Sequence, residues 1–509
     1  MSILKLGIRP LTLEEIRDVA LHGKKVALAP AAVRRVERSH RFLLSRIKKN
    51  KPLYGVNTGF GLLSNVRIPD GKIEALQENL LRSHACGVGQ PIEDHYARAM
   101  LLLRANALIA GNSGVSLKLV RFLIELLNRG VCPLVPEQGS VGASGDLAPL
   151  AHLALVLIGE GKARVKGREM GGARALRSAG LKPIQLGPKE GLALINGTQF
   201  MTAIGVFALL DAESLCEWAD AAGAMTVEAL RGTESAFEPE IHVARNQPGQ
   251  IASAKRVREW LLSGGGKSVI AKSHENCGKV QDPYSLRCIP QVHGATRDVL
   301  RFVRGVLERE ANAVTDNPLV FPERGKILSG GNFHGQIVAI AMDALSIASS
   351  ELGSISERRL DKLVNPNFSD LPPFLTRDSG LNSGLMIVQV AAASIVSESK
   401  TLCHPASVDS IPTSGDKEDH VSMGAWAARK AARVIANTRK ILAMELVGAA
   451  QGIELLRPLR SSRGIENLHR RIRRDSAALG RDRSLHEDLA RLEKMIATEE
   501  ATAFIARHS

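Results

Sequence analysis

Three neighbouring residues, Ala143, Ser144 and Gly145, carry an unusual chemical option. In "GSVGASGDLAPL" the Gly145 nitrogen has no side chain to obstruct it, so it can attack the Ala143 carbonyl if the fold forces the two together. Loss of water and dehydration of Ser144 would then leave an exocyclic methylidene on a five-membered ring. That is a strong electrophile made without an added cofactor. Spacing alone leaves another reading open, because Gly139, Gly142 and Gly145 also suit a plain tight loop. The P-loop match fails, since no Gly-Lys-Ser/Thr follows.

Other groups have matching chemistry. Tyr54, one of three tyrosines with Tyr96 and Tyr284, sits in the glycine loop "YGVNTGFG". A free phenol titrates near pH ~10, so Tyr54 acts as a base only if its surroundings lower that value or couple it to another group. His84 follows Ser83 near the end of an expected helix and can donate to or accept from a polar ligand. Tyr284 and Arg287 are three apart, one helical turn, and Arg presents a planar fork suited to a carboxylate. Glu418, Asp419 and His420 are adjacent, but adjacent residues on one element do not converge on an ion and "HExxH" is absent, so no catalytic metal is expected. Gln291 and His293 in "PQVHG" read as packing or subunit contacts.

The elements that must hold these groups read as mostly helical. Residues 51–70 and 131–150 are loops rich in Gly, Asn and Pro. "TLEEIRDVALHG" opens on a capping box, Thr12 with Glu15. Residues 160–190 suggest a hairpin and a short helix, and long helices follow at roughly 198–230, 250–263, 290–315, 333–355, 382–402 and 421–451. A charged helical segment closes the chain at about 464–507. The expected fold class is mainly α, a long-helix bundle with a smaller mixed N-terminal region. The expected domains are 1–197, carrying both loops, and 198–509, carrying the bundle.

Composition bounds the class. The 509 residues are 44% apolar and 23% charged, an ordinary globular profile, while only 4% are aromatic, so the core must be aliphatic. The net charge is +15, with a dense arginine group from Arg457 to Arg483. No aromatics interleave with those arginines as a single-strand nucleic-acid binder requires, so a basic scaffold or nucleic-acid-binding protein is the remote alternative. The uncharged runs 191–210 and 379–397 reach membrane-helix length but open with Gly and Asn, and they read as buried helices preceded by loops rather than membrane spans. Cysteines at 86, 132, 216, 277, 288 and 403 read as free thiols in a reducing compartment. The start has no signal-like segment, so a cytoplasmic protein is expected.

The segment "GSVGASGDLAPLAHLAL" resembles the signature of the aromatic amino-acid ammonia-lyase family. So, in the same order, do "YGVNTGFG", "SHACGVG", "LALINGTQ", "VQDPYSLRCIPQVHGA", "GGNFHGQ" and the segment from His404 to Gly424. The resemblance covers nearly the whole chain. It implies a carbon–nitrogen lyase whose Ala143-Ser144-Gly145 becomes 4-methylideneimidazol-5-one, with no external cofactor. It implies Tyr54 as the base that takes the substrate β-proton and Arg287 as the carboxylate partner. The resemblance also implies that Gln281, Tyr284 and Asn196 lie around the carboxylate and the ring, with Phe333 close to the ring. His84 and Glu418 match the histidine-specific members, implying that L-histidine loses ammonia to give trans-urocanate, the first step of histidine degradation. The implied assembly is a homotetramer whose active sites are completed by three chains. Four positions in two segments depart from the histidine-specific pattern: Gly415-Asp416-Lys417 replaces Ala-Asn-Gln, and Cys86 stands where Ala is common. A same-family 2,3-aminomutase or tyrosine lyase is the alternative.

Overall fold

The computed structural model describes residues 3–48, 52–275, 278 and 280–507. The chain forms two compact units. The first comprises Met1–Phe207, Arg304–Asp343 and Pro405–Arg429, and the second comprises Ala208–Val303, Ala344–His404 and Lys430–Ser509. The fold is mainly α, as the sequence pattern predicts.

Every named strand lies in the first unit. Leu4–Leu6 pairs in parallel with Val26–Leu28. Val88–Pro91 pairs antiparallel with Pro136–Gln138, and so tethers the segment after His84 to the loop before Ala143. Lys162–Val165 is the centre of a three-stranded sheet, flanked by Val131–Pro133 and Arg168–Gly171. The expected hairpin and short helix are thus Lys162–Val165, Arg168–Gly171 and Gly172–Ser178. Thr12 and Glu15 form the expected capping box on the Leu13–Ala20 helix.

The long helices run at Gln199–Ala229, Pro248–Leu261, Ile289–Ala311, Gln336–Val364, Met386–Leu402 and Gly424–Leu455. The uncharged run 191–210 is two helices, Glu190–Ile195 and Gln199–Ala229, broken at Asn196, Gly197 and Thr198. Gln199–Ala229 and Gln336–Val364 are long and apolar enough to cross a membrane by length and composition, yet 78% and 61% of their apolar windows are buried in the protein. The charged end segment is three helices, Arg463–Asp475, His486–Ile496 and Glu499–Arg507.

Several arginines of the Arg457–Arg483 group have partners. Arg457 binds Glu466, Arg471 binds Glu500 and Arg483 binds Asp488. His293 has a packing role inside the second unit. It is fully buried between Asp220 Oδ1 at 2.7 Å and Arg359 Nη1 at 3.3 Å. Cys86, Cys132, Cys216, Cys288 and Cys403 are free thiols, and Cys277 lies outside the described residues.

Candidate active site

A cavity of about 740 Å³ in the first unit brings together Tyr54, His84, Ala143, Ser144, Asn196, Phe333 and Glu418. These residues come from six stretches far apart in sequence. A second cavity, of about 770 Å³, is lined by Lys25, Arg98 and Arg164, but its cations are engaged. Arg98 donates to Ala20 O and Val19 O, Lys25 to Asn128 O, and Arg164 pairs with Asp94.

The tyrosine loop is folded by its own polar side chains. Asn57 Oδ1 accepts from Leu53 N at 2.7 Å and Thr58 Oγ1 accepts from Gly55 N at 3.3 Å, an arrangement that fastens a short turn without regular structure. Gly55 has φ +67°, which strains any L side chain, and a Cβ there would lie 2.2 Å from Leu192 Cδ2, so glycine suits the loop where it closes on the Glu190–Ile195 helix. Gln77 ties the same parts together: it is fully buried, and its Oε1 accepts from Gly191 N while its Nε2 donates to Gly55 O. Tyr54 meets Phe60 edge-on, with centroids 6.4 Å apart. Burial pushes the Tyr54 phenol above its ordinary value, the Gly61 backbone pulls it down, and the Glu418 charge pushes it up. The lowered value that a neutral-pH base requires is therefore not supplied by the groups that one chain places around Tyr54.

His84 ends the Ile73–His84 helix, with Nδ1 3.0 Å from Ser83 Oγ. Burial holds its imidazole below the ordinary value, against the opposing pull of the Leu80 backbone and Glu418, so the neutral ring prevails at pH 7. The turn that follows is held by Gly87 N donating to His152 Nε2 at 3.0 Å.

Glu418 closes a tight turn paired to Thr413. Ser414, Gly415 and Asp416 have φ of +53°, +61° and +62°. Gly and Asp are among the residues that tolerate this left-handed region, so the departure at 415–416 still meets the needs of the turn. Lys417 lines the cavity and is its one Lys or Arg among the described residues. Glu418 Oε2 accepts from Thr413 Oγ1 at 2.8 Å and Ser414 Oγ at 2.7 Å, and Oε1 accepts from Ser144 Oγ at 2.6 Å. Burial raises its pKa, but these three hydroxyls together hold it below the ordinary carboxylate value, so it is ionised at neutral pH. Asp419 and His420 also line the cavity, yet among the described residues no group of three His, Cys, Asp or Glu is arranged to hold a metal.

The Ala143–Gly145 loop is tightly confined. Gly142 and Gly145 have φ of +68° and +78°, and a Cβ on either would lie within 2.3 Å of a neighbouring oxygen, Ser422 Oγ or Gly197 O. Asn196 Nδ2 donates to Ser144 O at 3.1 Å. Asp146 N donates to Gly197 O at 2.7 Å, whereas among the described residues no hydrogen bond engages the Gly145 N–H. A hindrance-free, unengaged amide next to a buried Ala143 suits the ring closure described above. Sequence reading passed over Asp146. Its carboxylate accepts from Phe200 N and Met201 N, both at 3.0 Å, and caps a helix more than fifty residues away. Burial raises its pKa to about 7 against the pull of Met201, Ser140 and Phe200. Only its position next to Gly145 hints at this.

Three expected residues are not among those lining this cavity. Gln281, Tyr284 and Arg287 belong to the second unit. Tyr284 is 71% exposed, and the Arg287 guanidinium lies 4.5 Å from the Tyr284 ring centre while its Nε donates to Asp282 O.

Residues 11–474 match the family described as Aromatic amino acid lyase. The chain is 55% identical to the histidine ammonia-lyase of Anaeromyxobacter sp. (strain K) over 505 residues, which cover 97% of this chain and 99% of that protein. Its fold is similar to the crystal structure of histidine ammonia-lyase from Trypanosoma cruzi, with a TM-score of 0.92, 42% identity and coverage of 100% of this chain and 96% of that one. It is also similar to the tyrosine aminomutase from Streptomyces globisporus, with a TM-score of 0.93, 37% identity and coverage of 100% and 99%. The chain belongs to the aromatic amino acid lyase family and is a carbon–nitrogen lyase.

Proposed function

We propose that this chain eliminates ammonia from L-histidine to give trans-urocanate, using 4-methylideneimidazol-5-one made from its own Ala143-Ser144-Gly145. The observation that carries the reading is the cavity itself, where Ser144 Oγ lies 2.6 Å from Glu418 Oε1 and Tyr54 and His84 line the same volume. When formed, the ring supplies an electrophile that makes the amine of a bound amino acid a better leaving group.

The side chains then divide the work. An ionised Glu418 accepts from an imidazole N–H, and a neutral His84 donates or accepts beside it; both suit histidine better than a phenyl ring. Tyr54 removes the β-proton. Asn196 holds the Ser144 oxygen through its amide N–H, and Phe333 lines the same cavity. Binding the substrate at both ends sets the β-carbon before the base, and such positioning lowers a barrier by several kcal/mol. The greater identity to a histidine ammonia-lyase, 55%, than to the tyrosine aminomutase, 37%, supports elimination over migration of the amine.

The carboxylate partner comes from a second copy. Arg287, with Gln281 and Tyr284, supplies the fork that the described cavity lacks, and a homotetramer brings it to the site. Exposed apolar residues support such an assembly: Ile337, Ile340 and Ile347 on one long helix, Ile387 and Val390 on another, and Val280 and Leu381 in loops. A cation from a partner also supplies the lowering of the Tyr54 pKa that one chain does not. Free thiols at the five described cysteines suit the cytoplasm. The proposed partners are the small-molecule substrate and other copies of the chain, not nucleic acid or membrane.

The test is incubation with L-histidine, followed by the near-ultraviolet absorbance of urocanate, with L-tyrosine in parallel and Ser144→Ala as control. Urocanate from histidine alone, and none from Ser144→Ala, is expected. No turnover of histidine, or a β-amino acid as product, sinks the substrate and reaction; full activity in Ser144→Ala sinks the electrophile.

A further inference from the structure

Gly145 packs against the backbone of Gly197 and is bridged to it. A Cβ on it would lie 2.3 Å from Gly197 O and 2.6 Å from Gly197 C, and Asp146 N–H donates to the same Gly197 oxygen. The 196–199 turn therefore sets where Gly145 can be. That turn is in turn gripped by Arg104, which projects from the Asp94–Ile109 helix and is fully buried. Arg104 Nη1 donates to Asn196 O at 3.0 Å, Gln199 Oε1 at 3.0 Å and Thr315 O at 3.1 Å. A Cβ on Gly197 would lie only 2.4 Å from that Nη1. Gln199 Nε2 adds a bond to Thr315 Oγ1 at 2.7 Å.

No carboxylate pairs directly with this arginine among the described residues, and the Asp316 charge acts on it only from a distance. The buried Asp316 carboxylate already binds Lys189 Nζ at 2.7 Å and Asn317 N at 2.8 Å. Arg104 Nε and Nη2 are buried and have no hydrogen-bond partner among the described residues. A guanidinium so placed costs desolvation that an apolar side chain of similar size would not. What it does hold, with one nitrogen, is three oxygens around a glycine that presses on the reacting loop.

We propose that Arg104 is a positioning residue for ring closure: by gripping the 196–199 turn it presses Gly197 against Gly145 and brings the Gly145 nitrogen onto the Ala143 carbonyl. The inference rests on the proposed ring. In that closure the Gly145 N–Ala143 C bond forms, and the Ala143 oxygen leaves as water with the Gly145 and Ser144 amide protons. The Ser144 hydroxyl leaves as a second water with the Ser144 Cα proton. No oxidant is needed.

Intact mass tests this independently of turnover. Wild type, Arg104→Met, Arg104→Lys and Gln199→Leu are compared, counting only chains that match wild type in near-ultraviolet circular dichroism and assembly size. Wild type is expected to be lighter by two waters. Folded Arg104→Met is expected to keep mostly the full mass, converting roughly tenfold or more slowly, since small misplacements of reacting atoms have large rate effects. Arg104→Lys and Gln199→Leu fall between. An arginine that only stabilises the fold would lower the thermal midpoint of all three and leave no uncyclised chain in the folded fraction. Folded Arg104→Met as fully converted as wild type overturns the proposal. If Arg104→Met does not fold, wild-type conversion rates in both other variants overturn it. Wild type of full mass sinks the ring reading itself.

Discussion

Two buried arginines, one in each unit, do opposite things with the same side chain. Arg359 in the second unit meets Glu445 through Nε at 2.5 Å and Nη2 at 2.7 Å, and its Nη1 faces His293. Glu445 also accepts from Thr226 Oγ1 and Ser356 Oγ, so its charge is fully answered. Arg104 in the first unit meets two backbone carbonyls and an amide oxygen instead. The first arrangement is a closed network joining helices. The second grips the backbone of loops and leaves part of the guanidinium unanswered. One arginine thus serves a helix network and the other loop geometry. The cavity lies in the unit of Arg104, which also holds the buried Lys189–Asp316 pair.

This contrast can be broken from either side. The largest effect is expected at the pocket: Tyr54→Phe should keep the fold and the two-water mass deficit but lower kcat by roughly 10²–10⁴-fold, the usual contribution of a positioned proton-transfer group. Steady-state kinetics with the folded variant measures it, and a kcat within a few-fold of wild type would remove Tyr54 from the chemistry. Next comes Arg359→Met. Removing one partner of a buried pair costs about 3–5 kcal/mol, so urea unfolding should show a lower midpoint. The two-water mass deficit of the folded protein should stay, because nothing in this network touches residues 143–145. A folded Arg359→Met lacking the deficit would erase the distinction between the two arginines.

The smallest effect sharpens the electrostatics of the pocket. Burial and the Glu418 charge both raise the Tyr54 pKa. Glu418→Gln removes a negative charge that opposes the phenolate, so Tyr54 should titrate at lower pH than in wild type. Ultraviolet titration in a Tyr96→Phe, Tyr284→Phe background reads Tyr54 alone. An unchanged or higher value would show that Glu418 does not face the phenol.

Much of the site was legible as local chemistry. The glycine and asparagine loops at 51–70 and 131–150 stood out because turns need residues that tolerate positive φ or bond to their own backbone, and Gly55, Asn57, Thr58, Gly142 and Gly145 do so. Thr12 with Glu15 announced a helix start because a cap is a local hydrogen-bond pattern. Arg104 carried no such signal: in "MLLLRANALIA" it is one polar residue in an apolar helix, and its partners lie 92, 95 and 211 positions away. Asp146 was silent for the same reason, capping a helix that is distant in sequence. The run 191–210 read as a loop before a helix starting near 198; the helix start was legible, but the short helix Glu190–Ile195 before the Asn196-Gly197-Thr198 break was not.

By itself, then, the sequence determined the helical class and the loops, since these follow from residue types and spacings within about twenty positions; for Ala143-Ser144-Gly145 spacing left only the option of a ring, and the family resemblance pointed to it. Only the tertiary structure decided that 304–343 and 405–429 join 1–207, that Glu418 reaches Ser144, and that Arg104 and Gly197 stand behind Gly145. Those are long-range contacts. They depend on which surfaces the packed helices bring together, and no local pattern encodes that.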